Sequence, residues 1–435
     1  MIDTVAAGEG RHLSTSSWRP HLPLAVIISV GFILRLAWLL HARPMPVSDY
    51  NDYRTLALGI LDHGQFGYPE PTAFFLPVHP TFLAGFALIS RSDFWLSFSM
   101  VLVTTFSIYL FYLVAVKVLD SRRAVIIATG VFAVYPTFVS FAPVIATEHL
   151  FIALMLGAVA ILIRVDDAPL RNTALGGVLI GLAILTRGEA VYYVPAFVLW
   201  LWFGRRGRSW VERLKLAAVM GSLMAVIVIP WYVRNTVVVG PEAGLSASAG
   251  INFYFAHNDS GNYGDFIEGS EIYGLPSEEA SALGWRLGWE HIKAHPLNLI
   301  KDIRMGTFQL FGAPAYATIW PTAGADSYGD PDIYTRDVRF MTAIRDLARA
   351  ATPGLVSLAA LSVLAVPVWR RELALLILPL AISSWGLRTV VYWAMPRYAY
   401  FITVLMIFAA GQAIDTMVRG VESSRLAGLQ STTRG

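Results

Sequence analysis

The 435-residue chain has no cysteine, which removes disulfides, thiolate metal sites and cysteine nucleophiles from consideration. Charge is also scarce. Only 14% of the residues are Asp, Glu, Lys or Arg, against 56% hydrophobic, and the mean hydropathy is +0.56. Soluble domains carry about a quarter charged residues, so this balance points to a chain that crosses a bilayer repeatedly. The net charge of +3 gives no argument for nucleic acid. Familiar catalytic signatures are missing too: there is no GxxxxGK[ST], no HExxH, and no GxGxxG opening a helix after a strand.

What the chain does have is aromatic residues and long apolar runs. Its 13 Trp, 18 Tyr and 24 Phe suit interfacial belts as well as packed spans. Stretches able to cross about 30 Å of hydrocarbon are expected at 22–41, 94–117, 124–143, 149–164, 173–187, 190–203, 216–234, 354–369, 373–394 and 398–417. The stretch 74–90 is apolar but opens with Pro77 and Pro80, and reads as a short interfacial helix. The expected fold is an all-α polytopic membrane protein of about ten transmembrane helices with interfacial helices. Arg11 and Arg19 precede the first apolar run, which is too long for a signal peptide and is followed by no small-residue cleavage site. It reads as an uncleaved span after a cytoplasmic segment, 1–21.

The distribution of basic residues supports this order. Lys117, Arg122 and Arg123; Arg164 and Arg171; Arg205, Arg206, Arg208, Arg213 and Lys215; Arg370 and Arg371; and Arg419 and Arg425 all fall on one side, as the positive-inside rule requires. Counting 74–90 as a span would invert every later loop. The organisation is then a membrane unit 22–234 with an extracytoplasmic loop 42–93, a second such segment 235–353, three further spans over 354–417, and a cytoplasmic tail 418–435. Within 235–353, the run "WRLGWEHIKAHPLNLIKDIRMGTFQLF" reads as an amphipathic helix interrupted at Pro296.

Polar residues gather at the junctions on the non-cytoplasmic side. Asp49 and Asp52 follow the first span in "SDYNDY", His79 lies between two prolines, and Glu148 opens the fourth span. Arg187 and Glu189 lie in "TRGE", Trp231 to Asn235 end the seventh span, and Arg397 and Tyr398 precede the last. Each has a structural alternative. Asp49 or Asp52 could cap a helix starting near Tyr53, and Glu148 could cap its span. Arg187 and Arg397 could snorkel to headgroups, and His79 could be a packed interfacial histidine. Arg35, inside the first span, pairs within the bundle or snorkels.

Several stretches, in order, resemble one known group: "SDYNDYRTLALGILDHGQF", "PTAFFLPVHPTFLAGF", "VFAVYPTFVSFAPVIATEHLF", "GGVLIGLAILTRGEAVYYVP", "IPWYVRNTVVVG" with "GINFYFAHNDSGNYG", and "PRYAYFITVLMIFAAG". Together they resemble bacterial members of the GT-C glycosyltransferases, in the protein O-mannosyltransferase and aminoarabinose-transferase-like group. Two departures stand out. Tyr50 occupies the place where the group often has Glu, and the lysine that precedes a proline pair there has no counterpart in Leu76-Pro77-Val78-His79-Pro80.

The resemblance implies sugar transfer from a polyprenyl-phosphate donor to an acceptor hydroxyl, with inversion, at the outer face of an inner membrane. Asp49 would be the general base, and Arg187 and Arg397 would bind the donor phosphate. Asp52, His79, Glu148, Tyr398, His257 and Asn258 would contact sugar or acceptor. The expected partners are the lipid-linked donor, membrane lipid, and a protein, lipid or glycan acceptor, with no nucleic acid. No cofactor is required, although a divalent metal is compatible with the reading. Two alternatives remain from other classes: a transporter or flippase of lipid-linked saccharides, and a ligase- or polymerase-like enzyme of O-antigen type.

Overall fold

A computed structural model describes residues 21–67, 69–204, 207–259, 269–312, 338–363 and 371–432. The expected N-terminal segment 1–21 lies outside the described residues except for His21, as do Arg205, Arg206 and Arg370 and parts of the expected segment 235–353 and span 354–369. Every regular element among the described residues is helical.

Chain order begins with α1 (His21–Ala42), α2 (Asp49–His63), α3 (Val78–Ala87) and α4 (Asp93–Val118). Within the stretch 74–90, expected as a short interfacial helix, the structure has α3, ten residues long. α4 starts where Ser92 accepts a hydrogen bond from the Trp95 amide, and α5 (Arg122–Val134) starts with Ser121 capping the Ala124 amide. The single span expected over 124–143 is broken. Pro136 supplies no amide hydrogen and biases Tyr135 to an extended backbone (φ −58°, ψ 125°), so α5 stops and α6 (Pro136–Phe141) begins afresh.

α7 (Thr147–Leu162) and α8 (Pro169–Ile184) follow. A 3₁₀ turn (Gly188–Tyr193) then leads into α9 (Val194–Phe203), and α10 (Trp210–Val238) comes next. α10 packs closely on α8 because the glycines of the Gly-rich run present no side chain. A Cβ on Gly177 would meet the Met220 carbonyl oxygen at 2.5 Å, and one on Gly181 would meet Ile227 at 3.0 Å. Small residues of this kind let membrane helices approach through their backbones.

The segment after α10 folds into α11 (Ala249–Ala256), α12 (Ser277–Ala294) and α13 (Asn298–Gly312). The break between α12 and α13 lies at the expected Pro296. α14 (Val338–Val363) starts upstream of the expected 354. The next span runs from Leu373 to Val391 as α15 (Leu378–Gly386) between two π-helical turns, Leu373–Ile377 and Leu387–Val391. α16 (Ala399–Thr432) continues well past 417, so much of the expected tail is helix.

Among the described residues, five helices are long and apolar enough to cross a membrane: Leu22–Ala42, Asp93–Val118, Trp210–Val238, Leu373–Val391 and Pro396–Gly420. Thr147–Leu162, Pro169–Ile184 and Gly188–Phe203 are shorter apolar helices. The multi-helix membrane fold expected from the sequence is present, with five long apolar helices and a set of shorter ones among the described residues. The core lies among α4, α5, α7 and α16, where Phe111 stacks on Phe408 at 4.0 Å and on Phe132 at 4.7 Å. Arg35 is fully buried there and donates to the carbonyls of Gly31 (2.9 Å) and Ala133 (2.6 Å), which supports pairing within the bundle over snorkelling.

Candidate active site at one end of the bundle

The starts of α2, α7 and α16, the end of α8 and the second π-turn converge at one end of the bundle. Asp49 is the first residue of α2, whose Tyr50, Tyr53, Leu56 and Ala57 are buried and fix its orientation. Ser48, which precedes it, has φ +48° and ψ −134°, a backbone conformation costly for a residue with a Cβ. The turn therefore delivers Asp49 to the cavity at some backbone strain. The helix begins at Asp49, not near Tyr53, and Ser48 makes no side-chain cap. Neither aspartate is its N-cap, and Glu148 does not cap α7, whose N-cap is Ala146.

Three guanidinium groups surround one ring. Arg187, Arg388 and Arg397 place their Cζ atoms 5.2, 3.9 and 5.2 Å from the centre of the Tyr398 ring. Three carboxylates neutralise them. Arg397 pairs with Asp49 at 2.6 Å. Arg187 pairs with Glu148 at 2.8 Å and with Glu189 at 3.2 Å, and Arg388 also pairs with Glu189. Arg187 donates further to the Thr147 hydroxyl at 2.8 Å. The side chains of Arg388, Glu189 and Glu148 are 8, 9 and 6% exposed, whereas that of Asp49 is 30% exposed. Asp49 is thus the carboxylate most open to a second molecule.

A cavity of about 300 Å³ opens onto this cluster. Asp49, Arg187, Glu189, Arg388, Arg397 and Tyr398 form its charged side. Its neutral side has Phe74 and Phe75, Ser246 and Ser248, Asn252 of α11, and Trp393. The indole N–H of Trp393 donates to the Asn252 side-chain oxygen at 2.6 Å. At the junction ending α10, Arg234 and Asn235 hold this wall without lining the cavity. Arg234 donates to the carbonyls of Thr72 and Phe66, the Asn235 amide donates to those of Gly244 and Leu245, and Ser246 reaches the Phe74 carbonyl.

The expected site residues divide into two groups. Asp49, Arg187, Arg397 and Tyr398 come together at the cavity, and Glu148 lies just behind the arginines. The others do not line it. Asp52 is exposed, three residues along α2. His79 is fully buried, edge-on to Tyr53 at 5.1 Å. Burial, and to a lesser degree the neighbouring His149, lowers its pKa to about 3, so the ring is neutral. His257 is buried with Nε2 3.0 Å from the Val390 carbonyl oxygen and Nδ1 3.4 Å from Asp302. Asn258 donates to the Tyr254 and Phe255 carbonyls. Tyr50, at the departure from the resembled pattern, is buried, with its ring 5.8 Å from the Arg397 guanidinium. Burial pushes its phenol pKa up, so it stays protonated.

Arg388, Glu189, Asn252 and Trp393 are the residues that the sequence did not single out for a role. A charged residue inside an apolar span is a functional signal in itself, and Arg388 carries it.

By sequence, residues 70–233, less than half of the chain, match the family described as Dolichyl-phosphate-mannose-protein mannosyltransferase. No protein of curated function matches by sequence. Among solved structures, the Archaeoglobus fulgidus oligosaccharyltransferase tethered to an acceptor peptide is similar, with TM-score 0.52 and 14% identity. The match covers 94% of this chain and 51% of that one, so the chain spans about half its length. ArnT from Cupriavidus metallidurans is also similar. Its apo state matches with TM-score 0.42 and 18% identity over 90% of this chain and 75% of that one. Its undecaprenyl-phosphate complex matches with TM-score 0.42 and 19% identity over 94% and 79%. The chain has the GT-C fold, and residues 70–233 are similar to that mannosyltransferase family.

Proposed function

With that fold and partial family match as premise, we propose that the protein transfers a sugar from a polyprenyl-phosphate donor to an acceptor hydroxyl, with inversion, and that Asp49 is the general base. The single observation that carries this reading is the juxtaposition of Asp49 with three arginines in one cavity at the end of an apolar bundle. A lipid-linked donor keeps its tail in the bilayer while its head reaches such a site. The matching family, dolichyl-phosphate-mannose-protein mannosyltransferase, takes a lipid-phosphate sugar by its name, which supports the same donor class.

The chemistry needs two charges handled at once. As the acceptor oxygen bonds to the anomeric carbon, its proton passes to the Asp49 carboxylate, and the bond from that carbon to the phosphate oxygen breaks. The leaving phosphate gains negative charge, which Arg187, Arg388 and Arg397 stabilise through charge-assisted hydrogen bonds. The cavity volume suits one sugar and its phosphate. The neutral wall with Trp393 and Asn252 offers a stacking face and hydrogen-bonding groups for a sugar ring. With the positive loops cytoplasmic, the site faces the outer side of the inner membrane. The acceptor is a protein, lipid or glycan hydroxyl.

The test is to incubate purified protein with labelled polyprenyl-phosphate monosaccharides and follow release of the lipid phosphate. Consumption of one donor by the native protein, and consumption about 10²–10⁴-fold slower by Asp49→Asn with donor binding kept, is the expected result. Turnover by Asp49→Asn at the native rate overturns the base assignment.

A further inference from the structure

A second cluster of ligating groups lies away from the cavity, where α12 ends. Asp259 follows α11 by three residues, His291 is in the last turn of α12, and His295 is its C-cap. One ligating atom from each lies within 4.8 Å of the others. His291 Nδ1 is already 2.6 Å from an Asp259 carboxylate oxygen, and the two imidazole rings are 5.2 Å apart. The four-residue spacing puts both histidines on one side of the helix end. His291 is buried and fixed by its surroundings, whereas Asp259 and His295 are exposed. The site has one anchored ligand and two that close from solvent.

We propose that Asp259, His291 and His295 form a Zn²⁺-binding site. Two imidazoles and one carboxylate are a borderline-soft donor set that suits zinc, while Ca²⁺ and Mg²⁺ favour all-oxygen shells. Drawing the three atoms to about 2.0–2.2 Å from one ion needs only a small movement of the two exposed side chains. Water completes a tetrahedral shell. The metal does no chemistry on the sugar, because none of its ligands lines the cavity.

Its effect is to tie three pieces of chain together. α11 lies against α12 with backbones in contact: the Gly250 amide donates to the Ser281 hydroxyl at 3.0 Å, and a Cβ on Gly250 would overlap the Ser281 carbonyl oxygen. The other side of α11 gives Asn252 and Phe255 to the cavity. From the same corner α13 runs to the π-turn that carries Arg388. A metal at the corner fixes both walls at their common root.

The experiment uses the full chain in detergent, stripped with a chelator and titrated with ZnCl₂ by calorimetry, with thermal unfolding in parallel. Zinc content per chain is measured after gel filtration. One zinc per chain and a raised unfolding temperature are expected, with no such rise from MgCl₂. His295→Ala and Asp259→Asn change exposed residues, so both variants should fold. Each should weaken zinc binding by more than the roughly 10- to 100-fold that loss of an outer-shell partner costs. Substoichiometric zinc, or native zinc affinity in both variants, overturns the proposal.

Discussion

The two ends of the bundle use arginine in opposite ways. Away from the cavity, each arginine is satisfied on its own, by carbonyls or by one or two carboxylates. Arg164 donates to the carbonyls of Ala160 and Leu113, Arg208 pairs with the half-exposed Asp166 and Glu212, and Arg419 pairs with Asp415 one turn earlier on α16. At the cavity, Arg187, Arg388 and Arg397 crowd one tyrosine ring and are neutralised by carboxylates from three different elements. The first arrangement orients a protein in a membrane. The second assembles like charges, which is unfavourable unless they serve an anion. The difference shows that basic residues at the loop ends are not one population, although each reads alike in sequence.

Four changes break or sharpen this contrast, from the largest effect to the smallest. Asp49→Asn lowers the transfer rate by about 10²–10⁴-fold, the usual contribution of a general base, with the unfolding temperature unchanged; single-turnover kinetics on labelled donor measure it. Arg388→Gln leaves Glu189 with Arg187 alone and destabilises by about 3 kcal/mol, the low end for breaking a buried ion pair. Combining it with Glu189→Gln recovers the stability but not the donor affinity, which thermal unfolding and donor binding read separately. His79 is neutral in the folded protein, whereas the unfolded chain takes up its proton below the ordinary pKa of 6.5. Its contribution is therefore fully present above pH 6.5 and is lost as pH falls toward about 3. His79→Gln should flatten the loss of unfolding temperature between about pH 7 and about pH 5. At the opposite end, Arg208→Ala costs at most about 1 kcal/mol, because its partners are half in water, and donor binding is unaffected. A loss there equal to that of Arg388→Gln would erase the distinction between the ends.

How much was legible follows the same division. Apolar runs gave the membrane class and the short helix inside 74–90, because hydropathy is a local property of a sequence. The broken helix at Tyr135-Pro136 was legible in principle, since proline restricts the residue before it, but the apolar run hid it. Arg388 was hidden for another reason. Its span has normal hydropathy, and only the π-turn over Leu387–Val391 shows the register that aims it at Glu189. His257 and Asn258 were placed at the site by resemblance, yet their loop turns inward and pairs them with Asp302, Val390 and the carbonyls of α11. Side-chain direction depends on tertiary packing, which no short stretch encodes.

The neutral balance around Tyr398 has a consequence for exchange. An entering anion does not meet three bare cations. It must take guanidinium hydrogen bonds from Asp49, Glu148 and Glu189, so the affinity measured is a difference between two sets of ion pairs rather than the full Coulomb attraction of one. The same carboxylates reclaim the arginines when the anion leaves. Such a site holds an anion loosely, and the anion departs without the drag that an uncompensated cationic pocket would exert.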